Sequence, residues 1–505
     1  MQFHRIVCLL ALAVSTSFAG ETAPPPKRTV TLEECIALAL QHNLDIQIQR
    51  YNPQIALFNL RSSYSAYDPS FFASAEHSDS TGLPGFVPGV GNVPGAENES
   101  DSLNAGLSGM LPWGTSYRLG AGLANGYGRF FNVIGTNLLS VPFENTRGSM
   151  GALELRQKLL KDFWIDGARY QIAVQKNTLK GSEWNLRGQV MTTLTSVESA
   201  YYALIYAFDE VKVQEKAVEL AEKLLAENKK RVEVGAMAPL DEKQAEAQLA
   251  ASRADLLSAQ RNLAVAQNTL KALVTDEYSA WHAVELEPAG KLVAVPVELD
   301  VQDSWLKGLA LRPDLQQTRL ALDNTGLGLQ YAKNQVYPSF DIVGGLTYSA
   351  SAREFSDALQ QWADRDAPSA SVGFEFSMPI GNQSARNNHK AAKLQKEQAR
   401  LQLKQIEQNA MVQIDNAITL VRTSLARTQA TREARVFSEA ALDAEVKKLE
   451  NGKSTSFEVL RLQRDLTSAS SMEIQALTAY NVALAQLALA EGTTLERHKL
   501  DFTVK

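Results

Sequence analysis

The chain has 505 residues, of which 45% are apolar and 21% charged, with a net charge of −6 at pH 7. That length predicts two or three domains, and the mild acidity leaves no basic footprint of the kind nucleic-acid binding needs. Two cysteines, Cys8 and Cys35, exclude a disulfide framework.

Residues 1–19 read as a signal peptide. Arg5 supplies the positive n-region, Ile6 to Val14 the apolar core and Ser17-Phe18-Ala19 the small-residue cleavage site. The apolar run is too short to span a bilayer. Cys8 follows Arg5 by three residues, too early for a lipoprotein cleavage site that would leave a working apolar core. After processing only Cys35 remains, and its setting "LEECIALAL" makes it a small apolar helix residue. No later stretch has the ~18 consecutive apolar residues of a membrane-spanning helix.

The remaining chain reads as two similar halves. "LALQHNLDIQIQ" (38–49) recurs loosely as "LALRPDLQQTRL" (309–320), and "YDPSFFASAEHS" (67–78) as "YPSFDIVGGLTYS" (337–349). "GARYQIAVQ" (167–175) pairs with "SARNNHKAA" (384–392), and "RVEVGAMAPLDEKQAEAQL" (231–249) with "KLENGKSTSFEVLRLQRDL" (448–466). The offset falls from 269 at Pro69/Pro338 to 217 at Arg169/Arg386, so the first half carries an insertion of 52 residues between Pro69 and Arg169. It includes the Gly/Pro/Asn-rich "TGLPGFVPGVGNVPGAENES" (81–100).

Helical and strand periods alternate within each half. Val190, Leu194, Val197, Tyr201, Leu204, Phe208 and Val211 form a heptad seam, and a second seam runs from Ala245 to Leu273 with Leu alternating with Ala or Ser. The seams predict helices over about 32–66, 165–234 and 240–275, then 313–337, 383–450 and 456–490. The helix at 165–234 spans about 105 Å at 1.5 Å per residue, and two short helices stacked against one long one make an extended rod. Strand-like alternation covers Phe340–Tyr348 and Val372–Ile380, and in the first half Leu103–Leu111 and Tyr117–Leu123. Segments of this length and pattern suit membrane-spanning β-strands; a small soluble sheet is the alternative. Phe71, Phe72, Trp113, Tyr117, Tyr127, Phe130 and Phe131 supply aromatics for an interfacial girdle. Four to six strands cannot close a barrel, and an open edge in lipid strands its backbone polar groups, so several chains must share one barrel.

In this order, and twice over, these patterns resemble the TolC-like outer-membrane efflux protein family. "TLEECIALALQHN" is similar to its opening helix, "LALRPDL" to the repeat of that helix, and "KRVEVGAMAPLDEKQAEAQL" to its long-helix turn. The resemblance covers about 30–490. It implies an α+β membrane protein: a helical coiled-coil barrel forming a periplasmic tunnel, joined to a transmembrane β-barrel shared by a homotrimer. It divides the chain into a first efflux repeat (20–275), an equatorial linker (276–300), a second repeat (301–490) and a C-terminal tail (491–505). It further implies an outer-membrane location and a passive export channel, docked to a periplasmic adaptor and powered by an inner-membrane transporter. No cofactor or metal is implied.

Val234, Gly235, Ala236 and Met237 then form one periplasmic tip, and Gly452, Lys453 and Ser454 the other; both are expected to dock the adaptor. Each Gly suits a helix C-cap with positive φ, and Pro239 the first turn of the next helix; that structural role alone would also explain them. Six residues after each Gly stand Asp241 and Glu458, where the family places an acidic residue near the entrance. Arg461 stands where some members have a second acid, which points to a mixed Glu458/Arg461 ring; Arg231 belongs to the same entrance group. Solvated surface charge is the plain alternative for these residues.

"NGKSTSF" (451–457) contains the Gly-Lys-Ser-Thr of a phosphate-binding loop, but such a loop needs a Gly five residues earlier, and Lys447 stands there. The six histidines lack metal-ligand spacing and no nucleophile motif occurs, so an enzyme is not expected. Two other functions compete: a non-conducting envelope scaffold or adhesin, and a periplasmic adaptor. The insertion is expected to add either a hairpin to the barrel wall, giving six strands per chain instead of the family's usual four, or an elaborated extracellular loop.

Overall fold

The computed structural model describes residues 26–235 and 237–500. The expected signal peptide and the last residues of the expected tail lie outside them. Ten strands, eleven α-helices and one 3-10 helix (Tyr64–Tyr67) occur among the described residues. In chain order the strands and α-helices begin with β1 (Lys27–Val30), α1 (Leu32–His42), α2 (Leu44–Ser63), β2 (Ser70–Thr81), β3 (Gly85–Val87), β4 (Gly91–Val93), β5 (Glu97–Met110), β6 (Thr115–Ile134) and β7 (Asn137–Lys158). Next come α3 (Gly167–Glu233), α4 (Pro239–Val274), α5 (Tyr278–Trp281), β8 (Glu285–Pro288), α6 (Val301–Leu311) and α7 (Pro313–Asn334). β9 (Ser339–Ala352), α8 (Phe355–Ala363), β10 (Pro368–Ser377), α9 (Gln383–Glu450), α10 (Ser456–Glu491) and α11 (Thr494–Arg497) complete the chain. No helix among the described residues is long and apolar enough to cross a membrane.

The heptad seams are buried as their spacing requires. Val190, Leu194, Val197 and Leu204 are fully enclosed on α3, as are Ala245 and Leu270 on α4. The expected helix over 32–66 is broken at Asn43, which leaves the helical region at φ −64°, ψ 122°. The second half breaks in the same way at Arg312, φ −65°, ψ 125°, between α6 and α7. Each break caps an eleven-residue helix with a backbone bond, Asn43 N–H to the Ala39 carbonyl and Arg312 N–H to that of Gly308. The repeat thus extends to a backbone detail that identities alone do not display.

The chain forms two compact units, each drawing on both sequence repeats. Among the described residues one comprises 26–44, Ser196–Pro296 and Thr423–Ala483. Here β1 pairs in parallel with β8, and the segment after β8 is bound through its backbone: the Tyr480 hydroxyl donates to the Val295 carbonyl at 2.5 Å, and Gly290 N–H to the Tyr201 hydroxyl at 3.1 Å. Cys35 is buried on α1. Desolvation, with Glu34 nearby, pushes its thiol up to about 12, so it is an inert apolar side chain.

The other unit comprises Asp45–Thr195, Val297–Arg422 and, among the described residues, 484–500. Its sheet has six strands in the order β10-β9-β7-β6-β5-β2, every neighbouring pair antiparallel, so the strands meander in sequence order. The insertion therefore supplies two strands, β5 and β6, to the same sheet. β10 ends at Ser377, leaving Met378 and Ile380 beyond it, short of the expected strand end; Pro379 cannot donate to a ladder. The expected girdle does not lie on one face, because Phe71 and Phe72 are consecutive and point to opposite sides. Phe72 instead lies under the Arg118 guanidinium, 5.4 Å from the ring centre. Between β9 and β10, α8 packs Ala358 and Trp362 onto Leu123 and Ala350.

Candidate functional site at the two helical turns

α3 and α9 are the longest helices, at 67 and 68 residues, and each ends in a turn leading into a 36-residue helix. Gly452, at φ 70°, closes α9 with a Schellman arrangement: its N–H bonds the Leu449 carbonyl at 3.1 Å, and Lys453 N–H bonds that of Lys448 at 2.8 Å. Gly235, at φ 71°, makes the matching bond to the Val232 carbonyl at 2.9 Å. Ala236 lies outside the described residues. Pro239 opens α4 behind an extended Ala238. The Gly-Lys of the second turn thus caps a helix, and both amides point back at helix carbonyls.

Side chains lock the second turn. The Ser454 hydroxyl donates to Glu445 at 2.5 Å and the Lys448 ammonium sits 2.8 Å from the same carboxylate. These two partners, Lys448 foremost, hold the Glu445 carboxyl below its ordinary pKa. Thr455 accepts from Glu458 N–H at the start of α10, a Thr-x-x-Glu spacing that signals a helix start in the sequence.

The expected entrance residues fall into separate contacts. Asp241 and Glu458 both occupy the first turn of their helices, α4 and α10, where the helix dipole favours a carboxylate. Glu458 pairs with Arg461 of its own helix, Nε at 3.0 Å and an Nη at 2.7 Å from one carboxylate oxygen. The mixed charge expected from the sequence is thus an ion pair within one chain. Arg231 reaches across to α9 and donates to the Leu449 carbonyl at 3.3 Å. Val234 is 78% exposed, Leu240 65% and Phe457 50%, so large apolar side chains project from both tips.

Sequence reasoning missed Asn228. Only 1% exposed, it donates its amide to the Ser456 hydroxyl at 2.6 Å and to the Asp241 carbonyl at 3.4 Å. One α3 side chain thereby joins the starts of α4 and α10. Buried Ala221, Leu224 and Asn228 are spaced three and four apart, so the available signal was a polar residue at a seam position. Beneath it Leu224, Leu442, Leu449, Val459 and Leu460 form the apolar core shared by α3, α9 and α10.

Residues 163–275 and 307–493, more than half of the chain, match the family described as outer membrane efflux protein. The chain belongs to the outer membrane efflux protein family. It is 24% identical over 351 residues to the outer membrane efflux protein BepC of Brucella suis biovar 1 (strain 1330), covering 69% of this chain and 72% of that one. It is 23% identical over 412 residues to the outer membrane protein TolC of Escherichia coli (strain K12), covering 79% and 78%. Among solved structures it resembles the outer-membrane channel OprN, with TM-score 0.67, 17% identity and coverage of 92% and 90%. The CmeC outer membrane channel of Campylobacter jejuni matches with TM-score 0.64, 16% identity and coverage of 93% and 90%. VceC of Vibrio cholerae matches with TM-score 0.65, 17% identity and coverage of 91% and 96%. The family consists of channel proteins, and this member is an efflux channel of the outer membrane.

Proposed function

We propose that three copies of this efflux protein assemble into one passive duct, its β-barrel in the outer membrane and its helices forming a tunnel in the periplasm. The observation that carries the assembly is an uncovered heptad on α2. Leu44, Ile48, Tyr51, Ile55 and Phe58, spaced four and three apart, are each more than half exposed, and an apolar seam of that spacing is built to meet another helix. A second copy of the chain supplies it.

The capped turns form the periplasmic rim. Val234, Gly235, Met237, Leu240, Gly452, Lys453, Ser454 and Phe457 meet a periplasmic adaptor, and an inner-membrane transporter provides the energy. Asp241, Arg231 and the Glu458–Arg461 pair line the entrance. Repeated by symmetry, the carboxylates favour cations, and Arg461 tempers Glu458.

Conductance in planar bilayers tests this reading. Wild-type protein should conduct, and Asp241→Ala and Glu458→Ala should each change single-channel conductance or cation selectivity. Absence of conductance overturns the duct; unchanged conductance and selectivity in both variants removes these residues from the entrance.

A further inference from the structure

The six-strand sheet carries a pattern that goes beyond family membership. One row of register partners crosses every strand: Phe71 on β2, Leu107 on β5, Leu119 on β6, Leu153 on β7, Leu346 on β9 and Ala370 on β10. All six are apolar, and Phe71 is 71% exposed. The adjacent row runs Ser70, Ser108, Arg118, Glu154, Gly345 and Ser371. Successive strand residues face opposite ways, so across this band one face of the sheet is apolar and the other, Phe72 and Val343 apart, is small, polar or charged. Within this band the charged side chains keep to the polar face, where Arg156 pairs with Asp341 at 3.1 Å and Glu375 at 2.6 Å.

The inserted hairpin β5–β6 obeys this division in register with its neighbours. Leu103, Ala105 and Leu107 on β5 pair with Leu123, Ala121 and Leu119 on β6. Along the apolar face the band ends at a polar row, His77–Asp101–Asn125–Thr146. At its other end the hairpin closes in a turn at 111–114, with Gly114 at φ 91°. That turn is tied to the chain entering α3: Arg169 Nε donates to the Pro112 carbonyl at 3.1 Å, and the same guanidinium bonds the carbonyls of Phe163 and Trp164. The hairpin thus crosses the full apolar band and turns at the end of the sheet where α3 begins. A loop elaborated beyond the barrel would do neither.

We propose that β5 and β6 are membrane-spanning strands of the wall, and that the edge of β2 pairs with the edge of β10 of the next copy. β2 runs away from the helical end and β10 towards it, so head-to-tail closure is antiparallel, as outer-membrane barrels require. Adding a hairpin, and not one strand, preserves that match. Each chain gives six strands, so three copies close a barrel of eighteen, where four per chain would give twelve and a narrower exit. The copy number rests on the trimeric reading above; the membrane-spanning role of the hairpin does not.

Two measurements test this in outer-membrane vesicles, with Cys35→Ala as background. First, single cysteines replace Ser102, Leu103, Asn104, Ala105, Leu107 and Ser108, and a small charged thiol reagent is applied. The positions at Ser102, Asn104 and Ser108 should label at least tenfold faster than those at Leu103, Ala105 and Leu107. Ser371→Cys and Val372→Cys on β10 serve as reference. Alternation on β10 with uniform labelling on β5, at the rate of a Leu83→Cys loop site, overturns the proposal and leaves the duct standing. Uniform labelling on both strands overturns the duct itself. Second, Phe71→Cys/Leu153→Cys is oxidised. Two strands separate these positions in a six-strand wall, about 14 Å at 4.8 Å per strand, so no intrachain disulfide should form. A wall without β5 and β6 would make β2 and β7 neighbours, and formation of that disulfide overturns the proposal. Phe71→Cys/Leu107→Cys, on directly paired strands, should link.

Discussion

Arg231 of α3 donates a hydrogen bond to the Leu449 carbonyl, 3.3 Å away, in the last turn of α9. The cation meets the negative end of that helix, joining the two longest helices beside their turns. Arg231→Ala should release this tie at a cost of about 1 kcal/mol. Hydrogen exchange at the amides of 447–452 should then quicken about fivefold, with the barrel strands unchanged. Unaltered exchange there means that the contact contributes nothing to holding the turn.

The two turns were the most legible part of the chain, because their signals are local. A Gly at the end of a heptad run and, in the first turn, a Pro after it lie within a few residues, and the 217-residue offset matches the second turn to the first. Elements decided by tertiary packing were harder to read. The break at Asn43 coincides with a hydrogen bond from its side-chain amide to the Leu273 carbonyl, 230 residues away. β7 hides its alternation because Pro142 lies within it and its register shifts between Met150 and Leu153. Whether the insertion joins the sheet depends on cross-strand register, which no local pattern carries. Glu458 and Arg461 were readable as charges beside the second turn, but that they pair with each other only the side-chain geometry discloses.

Asn228→Ala should destabilise the tip by about 1–3 kcal/mol, the cost of leaving buried partners unsatisfied. It strips Ser456, itself buried, of its 2.6 Å partner and frees the Asp241 carbonyl. Thermal unfolding followed by exchange at α4 and α10 checks this. Loss of protection confined to the starts of those helices is expected, and a uniform loss along α3 would assign Asn228 to general helix packing.

Gly148 is the site for a paired substitution. A Cβ there would lie 2.5 Å from the Trp362 ring and 2.9 Å from a Leu123 methyl. Gly148→Ala should therefore displace α8 from the sheet and lower the melting temperature, and Trp362→Ala in the same chain should recover part of the loss. Independent, additive effects would refute the steric account.

Acid should loosen the second turn. The Glu445 carboxyl is held below its ordinary pKa by Lys448 and Ser454, so its contribution is present above the unfolded value. It is lost as pH falls through the lower, folded value. Protection at 451–454, measured against the intrinsic exchange rate at each pH, should stay high at neutral pH and fall only below the usual glutamate range. Glu445→Gln should give low protection at every pH; a variant that keeps the wild-type pH profile would place the titration elsewhere.

The exposed heptad on α2 makes the sharpest prediction about assembly. Ile48→Asp/Ile55→Asp puts two charges on a surface that the single chain leaves uncovered. Folding within the chain should therefore change little, within about 0.5 kcal/mol. If another copy covers the stripe, each carboxylate is buried against apolar side chains without a partner. Native mass spectrometry in detergent should then show trimer falling at least tenfold, while circular dichroism keeps its helical signal. Gln54→Asp, also exposed on α2 but off the stripe, controls for charge alone and should leave the trimer intact. Trimers that survive the double substitution would remove α2 from the interface between copies.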